Sequence, residues 1–459
     1  MDIIGRTAPT TLKPQISAPA VPTSIDMLGV PEVVIENLVL KHLSAYPKSD
    51  VLELSNYMCV VTHIVESALA VLRKKSLIEV FQPTSDLSLS TVSHSHVRYS
   101  LSEKGLEEAD LAFKRDAYLG PAPVSLTQYS DVVKQQDLRA ELVTRPHVEA
   151  ALDDVYGVDK MISVLGPAIN SGRALLLYGH AGTGKTFVAS RIVNALHTSV
   201  FIPYAVYALG NIIKVFSAQH HKPLDSNGSD QSISLKDQYD KRWLNCERPN
   251  IQVGGELTMD MLKVNHSENS RVWLAPVQMM ANNGIFVIDD LGRQPMPVDA
   301  LLNRWIVPME YSFDYLSLPN GQQITMPFVL TLAFSTNLNP KKISDPAFLR
   351  RLGYKIEFKP LNQRDYEALW MSVVADKEVE LQDGFFERLS QMHTLLKVPL
   401  FPCLPKDLVG ISKDILSFEQ LPPVITFDIL SMAWEVYFTS DGHEEEDRKS
   451  TRLNSSHRT

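Results

Sequence analysis

The stretch from Arg173 to Ser190 reads RALLLYGHAGTGKTFVAS. An apolar run, Ala174 to Tyr178, breaks into a glycine-rich loop, and a helix-like segment follows. The pattern is G-x-x-x-x-G-K-T between a strand and a helix, the context of a phosphate-binding loop. In such a loop, successive backbone N–H groups turn inward onto an anion, and the helix N-terminus adds its positive dipole end. Gly179, His180, Ala181, Gly182, Thr183 and Gly184 supply that backbone. Lys185 can reach the β- and γ-phosphates of a nucleotide, and the Thr186 hydroxyl can ligate Mg²⁺.

Further along stands GIFVIDD, Gly284 to Asp290. Four apolar residues ending in two carboxylates predict a buried parallel strand whose C-terminal end opens on the site. Asp289 is placed to hold Mg²⁺ and Asp290 to orient an attacking water. Pro319-Asn320-Gly321 predicts a hairpin turn, and FVLTLAF, Phe328 to Phe334, predicts a further buried strand. That strand ends at Asn337, which can hydrogen-bond a γ-phosphate or the water. After DPAFLRRL, Asp345 to Leu352, comes a short strand, Tyr354 to Phe358.

Between the loop and the acidic strand, Val200 to Pro203 is expected to be the second strand of the sheet. The interval from Tyr204 to about Asn283 is longer than a plain connection, so it is expected to carry a substrate or partner surface. It holds an Arg242-Trp243 pair and a glycine-marked strand, NIQVGGELTM. His220 and His221 are expected in a surface loop, without a third metal ligand. From Leu361, four helical segments predict a small α-helical domain: Gln363–Ala375, Gly384–Leu396, Lys406–Phe418 and Thr426–Phe438.

Upstream, residues 1–26 are rich in Pro, Ser, Thr and Ala and predict a flexible leader. Residues 27–118 predict three helices, the third over Thr62–Lys75, then two strands and a last helix, Glu103–Arg115, capped by Ser102. This order resembles a winged helix. The third helix of such a domain can enter a DNA groove, and here it would expose His63, Glu66, Ser67 and Arg73. Yet residues 27–118 carry nine Lys or Arg against twelve Asp or Glu, so protein docking is favoured over DNA contact. His94 and His96 are expected to be solvated wing residues. Gly120 to Pro123 starts a stiff linker, and 119–155 is expected to form a collar before the nucleotide domain.

The chain has 459 residues, 44% of them hydrophobic, and a net charge of −9. That suits a multidomain globular protein and argues against one that coats nucleic acid. No apolar run is long enough for a membrane span, no secretion signal is visible, and the three cysteines lie far apart. A soluble cytoplasmic protein is the expectation.

Residues 156–440 resemble the AAA+ ATPases, in particular bacterial AAA+ ATP-binding proteins. The resemblance implies an α/β parallel-sheet P-loop core over 156–360 and a helical lid over 361–440. It makes Gly179–Thr186 the Walker A loop, Asp289 and Asp290 the Walker B end, and Asn337 sensor 1. Arg350 or Arg351 becomes the arginine finger acting on a neighbour's nucleotide, and Lys406 stands where many members carry a sensor 2 arginine. The implied ligands are ATP and Mg²⁺, and the implied assembly is a homo-oligomeric ring such as a hexamer. Two residues depart from the family pattern. Many members have Glu where this chain has Asp290, and Lys406 lacks the planar fork of arginine.

Three functions follow from this resemblance: a ring-forming ATPase that remodels a protein partner, a slow-hydrolysing nucleotide switch, and a DNA-associated regulator or loader. Residues 441–459 form a tail, within which 447–457 resembles the translation of a sequencing-library adapter, so 447–459 is set aside from fold reasoning.

Overall fold

The computed structural model describes residues 18–81, 97–140, 142–224, 239–267, 271–343 and 346–438. At its centre five strands run parallel: β1 (Leu175–Gly179), β2 (Asn250–Val253), β3 (Ile285–Ile288), β4 (Thr331–Thr336) and β5 (Tyr354–Phe358). Their order across the sheet is β2-β3-β4-β1-β5. Residues along a strand alternate between faces. Leu175, Leu177, Ile285, Val287 and Ile356 therefore pack on one side, and Leu176, Phe286, Ile288, Leu332 and Phe334 on the other. Both faces are covered, which is why β3 and β4 are buried along their whole length. The strand β1 pairs with β4 on one side and β5 on the other. The connection after β1 runs to β2 on one side of the sheet and the connection after β4 runs to β5 on the other, and a crevice opens beyond the C-terminal ends of these two neighbours.

The second core strand is Asn250–Val253, not the expected Val200–Pro203. Val200–Pro203 instead pairs antiparallel with Trp243–Cys246 in a two-stranded ribbon. Its buried residues Val200 and Ile202 pack with Trp243 in a separate apolar cluster, which draws it out of the core sheet.

That cluster belongs to a second β-layer. Short strands at 124–125, 205–208, 211–214, 265–267 and 272–274 form one five-stranded sheet. The helix Leu126–Gln135 and the hairpin Phe313–Ser317/Gln323–Pro327 share its core. The expected collar thus divides. Its first part joins this layer, while Leu138, Val143, Val148 and Leu152 pack with the nucleotide core. His221, expected at the surface, is buried. Its Nδ1 accepts from Ser217 N at 3.1 Å and its Nε2 bonds Met280 O at 2.9 Å, so both ring nitrogens are satisfied inside the fold.

The N-terminal unit has helices Glu32–Ala45, Val51–Met58 and Thr62–Lys74, strands Ile78–Phe81 and Arg98–Leu101, and a closing helix, Glu103–Arg115. Ser102 Oγ accepts from Gly105 N at 3.0 Å and caps that last helix. A short strand, Ser49–Asp50, adds a third member to the antiparallel sheet. His94, His96 and the whole tail lie outside the described residues.

Arg242 ties this unit to the β-layer. It is 1% exposed. Its Nε and Nη2 donate to Asp240 at 2.8 to 3.1 Å, and its Nη1 donates to Leu28 O at 3.2 Å and Pro123 O at 3.1 Å. Asp240 N in turn donates to Pro19 O at 2.9 Å, so one residue of the expected leader is anchored.

After β5 come four helices: α1 (Gln363–Asp376), α2 (Phe385–Leu396), α3 (Cys403–Phe418) and α4 (Phe427–Phe438). They close around Tyr366, Trp370, Leu389, Leu408 and Leu430, a core of their own. No single helix among the described residues is long and apolar enough to cross a membrane.

Candidate functional site

The glycine loop stands between β1 and the helix Lys185–Arg191. Thr183 Oγ1 donates to His180 O at 2.7 Å and closes the loop on itself. Lys185 is only 6% exposed. Its Nζ donates to His180 O at 2.7 Å and Gly179 O at 3.1 Å. Burial pushes its pKa down, while the nearby charges of Asp289 and Asp290 oppose that shift.

Helix α3 reaches the loop directly. Cys403 N donates to Gly182 O at 3.2 Å. Gly182 has φ +76°, and a Cβ there would fall 2.5 Å from Cys403 Sγ. The position therefore requires glycine both for its backbone and for the close approach of α3.

At the end of β3, Thr186 Oγ1 donates to Asp289 Oδ2 at 2.7 Å. Gln252, on the neighbouring β2, donates to the same oxygen at 3.2 Å, and Asp290 N donates to Asp289 Oδ1 at 3.0 Å. A hydroxyl and a carboxylate thus meet at one point beside the loop. These hard oxygen donors, few in number, suit Mg²⁺, which takes one or two protein oxygens and completes its shell with phosphate and water. Among the described residues no group of three or more His, Cys, Asp or Glu gathers to form a self-sufficient metal cage.

Asp290 has φ 48°, a left-handed conformation uncommon for Asp. Asn337, just past the end of β4, donates from Nδ2 to Asp290 Oδ1 at 3.2 Å. Gln294 braces the turn from beneath. It accepts from Gly292 N at 2.9 Å and donates to Asp289 O at 2.9 Å and Gly254 O at 3.2 Å.

The loop and the ends of β3 and β4 meet at one cleft of about 950 Å³ that also reaches the four-helix unit. The loop from Ala181 to Thr186, Asp289, Asp290, Asn337 and Lys406 are all on its wall. Gly179 and His180 stand behind the loop as acceptors for Lys185. Arg350 and Arg351 are not on that wall. They lie on the helix Pro346–Arg351, where Arg351 Nε is 3.6 Å from Glu310 Oε2. Sequence reading missed the far end of the cleft. There Gly157 meets the start of α1, with the place of its absent Cβ 2.5 Å from Leu361 Cδ2 and 3.5 Å from Asp365 Oδ2. It also missed Arg293, whose Nη1 lies 4.0 Å from Asp290 Oδ2.

Residues 362–436, the four-helix unit, match a family model described as a domain of unknown function, DUF8689. No curated protein matches the chain. Solved structures similar to it include the RuvB Holliday junction branch migration motor of Thermotoga maritima, at 17% identity over 62% of this chain and 71% of that one, with a TM-score of 0.38. NtrX from Brucella abortus is similar at 10% identity over 71% of this chain and 59% of that one, with a TM-score of 0.36. Likenesses this low add nothing to the geometry. The fold is defined by the molecule itself: a parallel sheet in the order β2-β3-β4-β1-β5, a glycine-rich loop at the C-terminal end of β1, and a helical unit across the cleft give an α/β core with the AAA+ P-loop fold and its helical lid.

Proposed function

We propose that this chain is an Mg²⁺-dependent ATPase that works as a ring and remodels a protein partner in the cytoplasm. The observation that carries the reading is the paired contact Thr186–Asp289 and Asn337–Asp290, which gathers three sequence-distant motifs at the mouth of the glycine loop. The loop backbone would bind the phosphates, with Lys185 turning from its carbonyls to the β- and γ-phosphate oxygens. Thr186 and Asp289 would hold the ion, which when bound supplies charge neutralisation at the transferring phosphoryl group. Asp290 would orient a water in line with the γ-phosphorus and accept its proton, with Asn337 fixing the carboxylate. Positioning and electrostatics supply most of the rate in such a reaction. Lys406 would reach the phosphates from the lid.

Because Arg350 and Arg351 lie off their own cleft, either would act on nucleotide held by an adjacent protomer. Turnover per protomer should then rise with protein concentration and level off as rings assemble, as read by phosphate release against light scattering. Turnover that is independent of concentration in a monomeric protein sinks the ring. The winged-helix-like unit, acidic and clamped to the β-layer through Arg242, is read as the surface that meets the partner.

A further inference from the structure

We propose that Arg293 is a phosphate-reading cation of this chain's own site, paired with Asp290 when the terminal phosphate is absent and drawn to that phosphate when ATP is bound. The proposal rests on the ATPase reading above and adds a residue to it.

A nucleoside triphosphate brings several negative charges into a cleft whose catalytic end already holds Asp289 and Asp290. The cations on the cleft wall among the described residues are Lys185, Arg293, Lys359 and Lys406. Lys359 Nζ lies 3.1 Å from Glu357. Lys185 is buried against the loop carbonyls, and Lys406 belongs to the lid. Arg293 is the one that stands beside the water-orienting carboxylate, with Nη1 4.0 Å from Asp290 Oδ2.

Its backbone and its side chain differ sharply in restraint. Arg293 N donates to Asp290 O at 2.9 Å, and the Gln294 amide pins two main-chain groups just before it, Gly292 N and Asp289 O. The guanidinium, by contrast, is attached to a side chain that is 72% exposed, and its partner Asp290 is 43% exposed. An ion pair this long and this open is weakly held. A terminal phosphate offers more charge and a geometry that a guanidinium can grip through two N–H groups. Exchange of Asp290 for phosphate would leave Asp290 Oδ1 on Asn337 and release Oδ2 to accept from water. The same movement that recognises the third phosphate would thus uncover the group that uses it.

The test compares equilibrium binding of ADP and of a non-hydrolysable ATP analogue to the full chain, with ATP turnover measured alongside. R293A should weaken the ATP analogue about tenfold while leaving ADP within about twofold, and turnover should fall roughly a hundredfold. R293K, which keeps the charge without the fork, should restore part of the preference for the triphosphate. Equal weakening of both nucleotides, or of neither, overturns the role of Arg293. A wild-type chain that binds neither nucleotide overturns the ATPase reading and Arg293 with it. The side chain is exposed, so the variant should fold as the parent does, and a matching melting curve confirms it.

Discussion

Two of the cations buried among the described residues, Arg242 and Lys185, have surroundings that could hardly differ more. Arg242 sits against a formal carboxylate, Asp240, and spends its remaining N–H groups on two carbonyls from distant segments. Lys185 has no carboxylate in hydrogen-bond contact. It rests on two loop carbonyls and, at 3.5 Å, on the Thr183 hydroxyl. Carbonyls are weaker partners for an ammonium than a phosphate oxygen is. One cation is therefore complete within the fold, and the other, on the reading proposed above, has a stronger partner still to gain from an anion. Burial alone does not separate a structural charge from a functional one. Between these two, the difference lies in the charge of the partner.

Removing each cation tests that contrast. K185A should cost turnover roughly a thousandfold and leave the melting temperature close to that of the parent. A large loss of stability would place Lys185 with the structural group. R242A should do the reverse. It leaves Asp240 buried without its partner, a change that costs about 3–5 kcal/mol, to be read from denaturant unfolding. A variant as stable as the parent would show that the clamp contributes nothing.

A smaller effect sharpens the same point with neutral groups. His42, His221 and His393 are all held below the ordinary histidine pKa by burial. The unfolded chain therefore binds protons at these positions more readily than the folded one. Their contribution is fully present above the ordinary histidine pKa and is lost as pH falls below it. The melting temperature should drop by several degrees between about pH 7 and pH 5. A flat profile would mean that these rings take up protons inside the fold as easily as outside.

The parts of the site that were legible in the sequence are those whose chemistry is local. The loop, the acidic end of β3 and the Asn at the end of β4 each announce themselves through an apolar run ending in a polar group, and folding brings them into contact. The closing helix of the N-terminal unit was legible to the residue because Ser102 caps it. Strand β2 was legible as a strand within NIQVGGELTM but not as a member of the core sheet. It lies at the sheet edge, four residues long, with Gln252 exposed in its middle, so it lacks the unbroken apolar run of its neighbours. The β-layer is built from strands of two to four residues gathered from positions 124 to 274, a length at which periodicity carries little information. His221 looked like a loop residue and the Arg242-Trp243 pair carried no reading, because their partners, Met280, Leu28 and Pro123, are remote in sequence. Arg293 was within reach: it stands three positions after Asp290, across a turn marked by Gly292.

The bond from Cys403 N to Gly182 O joins two ends that would otherwise be left open. Cys403 is the first residue of α3, and the first N–H groups of a helix have no partner within it. The glycine loop therefore serves as the N-terminal cap of a lid helix. Swinging the lid away would strand a donor on one side and an acceptor on the other until water replaced them. Because the bond is made by main-chain atoms, any residue except proline at 403 can form it. The helix end of this coupling leaves no motif behind, and the loop end shows only as the glycine at 182.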